Sequence, residues 1–157
     1  MFPRRRIQRA ASGTVRLRLP EQEQELLRGV CAEVRFLLDD NPDDPDLHRL
    51  FPPGHADPER AAEYQLLVRQ ELLDGRARAL ATVERTADRT TLDADEANAW
   101  LTALNNARLV LGTRLGVTEE LDLARIAAND PRERELGVYA YLTWLQEQLI
   151  EALAGDA

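Results

Sequence analysis

No lysine occurs anywhere in the chain's 157 residues. Schiff-base chemistry, a lysine general base and a P-loop lysine are thereby excluded. Cysteine occurs once, at Cys31, which rules out an intrachain disulfide and fits a reducing compartment. Aromatic residues make up 5% of the chain. Leu, Ala and Val must therefore fill any core, a composition suited to helix-on-helix packing rather than to a β-sandwich. No apolar run approaches the roughly 18 residues of a membrane span, and no apolar segment follows the arginines near the start. These gaps lead to the expectation of a cytoplasmic protein without membrane association. One helical domain over residues 1–157, long enough to bury a core, is expected.

What is present is separated by sign. The formal net charge is −8, yet residues 1–19 carry Arg4, Arg5, Arg6, Arg9, Arg16 and Arg18 and no acid. The acidic residues all follow them. An acidic body repels a phosphate backbone, so the basic start either contacts nucleic acid locally or folds back onto its own acidic surface. The second is the simpler reading.

Ser12-Gly13 is a turn signal, and Thr14 to Leu19 alternates polar and apolar residues. Residues 1–19 therefore read as a short β-hairpin arm, with Val15, Leu17 and Leu19 facing a helical body and Arg16 and Arg18 facing water. A helix from Pro20 to about Leu38 follows, with Leu26, Leu27, Val30, Cys31, Val34, Leu37 and Leu38 on one arc. Residues 39–57 hold Pro42, Pro45, Pro52, Pro53 and Gly54 and form a connector with one helical turn around Asp46 to Leu50. Asp57-Pro58-Glu59 opens a helix to about Ala87. It has two apolar faces, so it is either buried on both sides or bent near Gly75. Asp93 and Glu96 make a capping-box start to a helix that Gly116 ends in a left-handed turn. A short helix over 119–128 and a final one from Asp130-Pro131 to about Leu153 complete the pattern. The fold class is mainly α: a four- to five-helix bundle with a short N-terminal β-hairpin.

One charge falls on the wrong face. At 100° per residue Arg108 lies among Ala97, Leu101, Leu104, Leu111 and Leu115. An interior guanidinium needs a partner. The expectation is an ion pair to a carboxylate such as Glu71 or Glu147, with the alternative that Arg108 lines a pocket. Asn105 flanks the same stripe. Gln146 falls within the last helix's stripe of Tyr139, Leu142, Leu145, Leu149 and Leu153, which makes Asn105 or Arg108 its natural partner. Arg114 stands near a helix C-terminus, where a cation is favourable in any case.

Trp144 projects off that stripe, either as an anchor for a partner or second copy or packed under the hairpin. His48 and His55 stand near Asp39, Asp40, Asp43, Asp44 and Asp46, but the spacing matches no metal signature, so no metal and no cofactor are expected. Cys31 reads as a small core residue, and no nucleophile motif surrounds either histidine. No catalytic residue is assigned.

The strings L-F-P-P at Leu50 to Pro53, W-L-T-A-L-N-N-A-R-L-V-L-G-T-R-L-G-V-T from Trp100 to Thr118 and Y-L-T-W-L-Q-E-Q-L ending at Leu149 carry a resemblance. With the Arg-rich start and Val15 to Leu19, they resemble the uncharacterised, mainly actinobacterial domain-of-unknown-function family numbered two thousand and seventeen. The family has no established activity and no agreed catalytic residues. Some members are labelled transcriptional regulators, and genes for members often neighbour one for a proteolytic adaptor. The resemblance therefore identifies no site, and with no catalytic or metal motif in the chain the reading of the residues is a non-catalytic interaction or regulatory protein, acting through a protein partner or self-association through an apolar strip near Trp144 or the Gly75 bend. The alternative is a DNA-binding transcriptional regulator that uses Arg4, Arg5, Arg6 and Arg9 as its contact arm.

Overall fold

The alternation of buried and exposed residues from Ile7 to Leu19 is that of a half-buried hairpin, and strands form there. A computed structural model describes residues 5–40, 45–46, 58–116 and 132–155. Strand β1 (Ile7–Arg9) pairs antiparallel with β2 (Val15–Leu17), Ile7 opposite Leu17. Between them a 3-10 turn (Ala11–Gly13) closes the hairpin, with Gly13 at φ 75°, a value that favours glycine. Val15, Leu17 and Leu19 are buried, while Arg16 and Arg18 are exposed, as the two-residue period requires.

Among the described residues four helices follow: α1 (Glu21–Asp40), α2 (Pro58–Thr86), α3 (Ala94–Leu115) and α4 (Glu133–Ala154). Between α2 and α3 the two-residue strand β3 (Thr91–Leu92) joins the hairpin as a third strand, with Val15 opposite Leu92. The architecture is mainly α, with a small antiparallel sheet at one end. Helix α2 runs through Asp74-Gly75 without a break. Of the two open readings, burial on both sides is the one seen in its second half, where Ala79, Leu80 and Val83 are all buried. Asp93 and Glu96 make the capping box in both directions, at 2.7 and 3.0 Å, and Gly116 is left-handed at φ 69°.

Helix α3 is the centre of the packing. It lies against α2 on one side and α4 on the other, and α1 completes the layer on α2. One core joins the sheet's Ile7, Val15, Leu17 and Leu92 to helix residues including Leu27, Leu80, Trp100, Leu104, Leu142 and Leu149. Trp100 is fully buried, and its indole N–H donates to Thr86 Oγ1 at 2.7 Å, so the polar end of a core aromatic is satisfied. Apart from Asp46, the expected turn at Asp46 to Leu50 lies outside the described residues, as do the histidines His48 and His55, Arg4 and the expected 119–128 helix.

Candidate functional site

A helix covered on two sides buries a wide arc rather than a narrow stripe, and this shifts the polar positions away from where periodicity alone places them. On α3 the buried residues are Ala97, Trp100, Ala103, Leu104, Asn106, Ala107, Val110, Gly112 and Leu115, while Leu101, Arg108 and Leu111 are half-buried at the edge. The ion pair expected from Arg108 to Glu71 or Glu147 is not formed. Instead the Arg108 guanidinium lies over the Tyr139 ring, 6.0 Å from its centroid. At the edge of the seam the aromatic face replaces a carboxylate. Among the described residues Arg108 Nε has no hydrogen-bond partner.

Gln146 and Asn105 do meet across α3 and α4, at a long 3.5 Å from Nε2 to Oδ1. Gln146 is only half-buried, however. The buried face of α4 is Leu136, Tyr141, Leu142, Leu145, Gln148, Leu149 and Ala152, rotated from the stripe the sequence indicated. The amide inside is therefore Gln148. Asn106, next to Asn105, is 1% exposed, and neither of its amide atoms is paired among the described residues.

The second polar centre is where the basic start meets the helices. Arg6 holds Glu23 of α1 through Nε at 3.0 Å and Nη2 at 2.9 Å, with the two side chains 14% and 19% exposed. Glu23 also accepts the Tyr141 hydroxyl at 2.6 Å. Burial first, and then this hydrogen bond to the carboxylate, push the Tyr141 phenol well above its ordinary value. Arg6 covers the Trp144 ring at 5.6 Å, and Trp144 in turn leans on Tyr141 with 6.0 Å between centroids. Trp144 thus packs beside the arm. Gln148 Oε1 accepts the backbone N–H groups of Arg6 at 2.7 Å and Ile7 at 3.1 Å, closing the outer edge of β1.

Its neighbours on the arm are engaged as well. Arg5 pairs with Glu151, and Arg9 donates to the carbonyl of Gly155 at the end of α4, where the helix dipole favours a cation. Arg5, Arg6 and Arg9 are all turned onto the protein's own body. Nothing in the local pattern names Glu151, Glu23 or the Gly155 carbonyl as their partners, although the excess of acid downstream gave the direction.

Arg114 bridges Asp46 at 3.1 Å and Glu33 at 3.3 Å. Glu33 and Arg114 also line a cavity of about 140 Å³ together with Val30, Val34, Val110, Leu111 and Val138. Arg132 Nη1 donates to the Leu115 carbonyl at 2.9 Å and ties the start of α4 to the end of α3. Cys31 is buried, and desolvation, reinforced by the Glu84 charge, pushes its thiol up to about 12. Such a thiol is protonated at neutral pH and is a poor nucleophile and metal ligand. Among the described residues no cluster of three or more His, Cys, Asp or Glu could hold a metal ion, and none of the helices is long and apolar enough to cross a membrane.

Residues 4–153 match the model of a family described as a domain of unknown function, DUF2017. The chain belongs to this family. Among relatives of this DUF2017 chain is a protein named oxidative stress regulator AosR in Mycobacterium tuberculosis strain H37Rv. It is 32% identical over 133 residues, which cover 73% of this chain and 61% of that protein. The Mycobacterium bovis protein of that name has the same identity and coverage. A Mycobacterium leprae protein to which the name is given provisionally is 30% identical over 152 residues, covering 85% of this chain and 68% of its own length. The chain thus spans about three fifths of the first two relatives. No solved structure matches it.

Proposed function

We propose that this chain is a non-catalytic regulatory protein of the cytoplasm that acts by contact with a protein partner or a second copy, in the response to oxidative stress. One observation carries the reading: the likeness to proteins named oxidative stress regulators extends over 73% of the chain. The site geometry supports contact rather than thiol chemistry as the means. The sole cysteine is buried and its thiol is held protonated, so an oxidant signal reaches this protein through what it binds. The test is deletion of the gene in its host and measurement of transcripts before and after hydrogen peroxide. Altered oxidant-induced transcripts, restored equally by the native gene and by a Cys31→Ala version, support the reading. An unchanged transcript profile overturns it.

The alternative, a DNA-binding regulator using the Arg-rich arm, is disfavoured by the engagement of Arg5, Arg6 and Arg9 with Glu151, Glu23 and the Gly155 carbonyl. Arginines committed to their own body release few counterions from a duplex. A gel shift on random duplex at low ionic strength separates the two readings, since an arm that bound DNA would give a salt-sensitive shift.

A further inference from the structure

On the face where α3 meets α4, Arg108 and Glu147 carry opposite charges, yet no ion pair joins them. Arg108 is half-buried over the Tyr139 ring and holds no carboxylate among the described residues. Alone of its nitrogens Nε is buried and unpaired, so the terminal ones stand toward solvent. Glu147 is exposed and takes part in no hydrogen bond or ion pair among the described residues. It borders a surface pocket with Arg5, Trp144 and Glu151, but the Arg5 guanidinium is taken by Glu151.

Helical geometry puts both groups on one surface. Arg132, at the start of α4, donates to the Leu115 carbonyl at the end of α3, so the two helices run antiparallel, and the contact of Gln146 with Asn105 at 3.5 Å fixes their register. On α3, Leu101, Asn105 and Arg108 lie within about 60° of one another, as do Thr143, Gln146 and Ile150 on α4, and Glu147 follows about 40° beyond Thr143. Counted from the amide contact, Arg108 stands level with Thr143 and Leu101 with Ile150. Arg108 and Glu147 are thus one turn apart, about 6 Å along the seam. Ile150 is 48% exposed, and Leu101 is half-buried at its level. The strip therefore has an apolar end, an amide centre whose Gln146 Oε1 is buried without a partner among the described residues, and two open charges of opposite sign.

We infer that this strip is an interface between two copies of the chain, related by a two-fold axis that crosses the seam near Gln146, with Arg108 of each copy paired to Glu147 of the other. An isologous contact requires one surface to carry both halves of every pair, and a two-fold axis exchanges positions that lie on either side of it. Arg108 and Glu147 meet that condition. A uniformly acidic partner answers Arg108 but repels Glu147, and a basic one does the reverse. Covering Ile150 and Leu101 removes apolar area from water, and Arg108 with Tyr139 supplies the residue types that concentrate binding energy at interfaces. The inference deepens the proposed function by naming the surface of its second-copy contact, and it rests on that mode of contact rather than on the response to oxidants.

The test is sedimentation velocity of the full chain over a concentration series, alongside Arg108→Glu, Glu147→Arg, Ile150→Glu and a control, Phe36→Glu, each checked for native folding by circular dichroism. Phe36 is 66% exposed on α1, which packs on α2. The expected result is a native dimer whose affinity falls at least about tenfold in each strip variant and is unchanged in the control. Glu147→Arg and Ile150→Glu alter exposed positions and keep the test decisive should Arg108→Glu not fold. An equimolar mixture of Arg108→Glu and Glu147→Arg chains reads the pairing itself. Each variant alone sets like charges together, whereas the mixed dimer restores both ion pairs and is expected to associate as the native chain does. A native chain that stays monomeric throughout the series, native-strength association in the strip variants, a mixture no tighter than its parts, or an equal loss in Phe36→Glu overturns the assignment. A dimer established in this way stands even where oxidant-induced transcripts are unchanged, an outcome that overturns the proposed function alone.

Discussion

The side-chain oxygen of Gln148 accepts the backbone N–H of Ile7 at 3.1 Å, so a residue of the last helix closes the edge of the first strand. The same oxygen takes the Arg6 N–H at 2.7 Å. Two backbone donors of a strand that would otherwise present an open edge are satisfied by one amide.

Replacing Gln148 by Leu keeps the apolar contacts of α4 but strands both donors. Each unsatisfied buried group costs about 1–3 kcal/mol. Urea denaturation of the Gln148→Leu protein is expected to show a loss of about 2–4 kcal/mol, and a midpoint equal to that of the native chain contradicts the strand-closing role.

Glu23 is the shared acceptor for Arg6 and Tyr141. Glu23→Ala leaves a mostly buried guanidinium and a phenol without their partner, and is expected to destabilise by about 2–3 kcal/mol. Tyr141→Phe removes one hydrogen bond and should cost about 1 kcal/mol. A double-mutant cycle between the two positions reads their coupling directly.

Arg108 tests the seam. A cation on an aromatic face at a half-buried position contributes about 0.5–1 kcal/mol, well below the roughly 3–5 kcal/mol lost when one partner of a buried ion pair is removed. Arg108→Ala is therefore expected to cost about 1 kcal/mol, with little further loss when Tyr139→Leu is added. A drop of several kcal/mol in the single variant would show a carboxylate partner.

Alkaline pH should unfold the protein from a predictable point. The Cys31 thiol is raised from 9.0 to about 12 and the Tyr141 phenol is raised from 10.0. Both groups keep their protons in the native state where the unfolded chain has lost them. The stability they contribute is complete below about pH 9 and is lost as the pH rises beyond it. Denaturation midpoints at about pH 8 and about pH 11 should differ, and the Cys31→Ala, Tyr141→Phe double variant should narrow that difference. For the same reason a thiol reagent at neutral pH should modify Cys31 only after denaturation.

The sequence by itself determined the elements whose signals are local. Asp93 and Glu96, three residues apart, announced the start of α3, and Gly116 its end. The alternation of Val15, Leu17 and Leu19 stated which side of the hairpin is wet. Periodicity also showed that α2 carries apolar residues on two faces. These features rest on contacts within about one helical turn, which a linear pattern contains. Tertiary structure decided everything that depends on how a helix is rotated about its axis and on what lies across from it. A two-residue strand, Thr91–Leu92, has too few positions to show alternation and exists because β2 is beside it. Gln148 rather than Gln146 is the buried amide because α4 is turned so that Tyr141, Leu145 and Ala152 face inward. Arg6 and Glu23 meet across 17 positions, and Arg6 and Gln148 across 142. The pairing of a charge with an aromatic ring or with a carboxylate at such separations is set by packing, and helical periodicity places a side chain on a face without naming its neighbour.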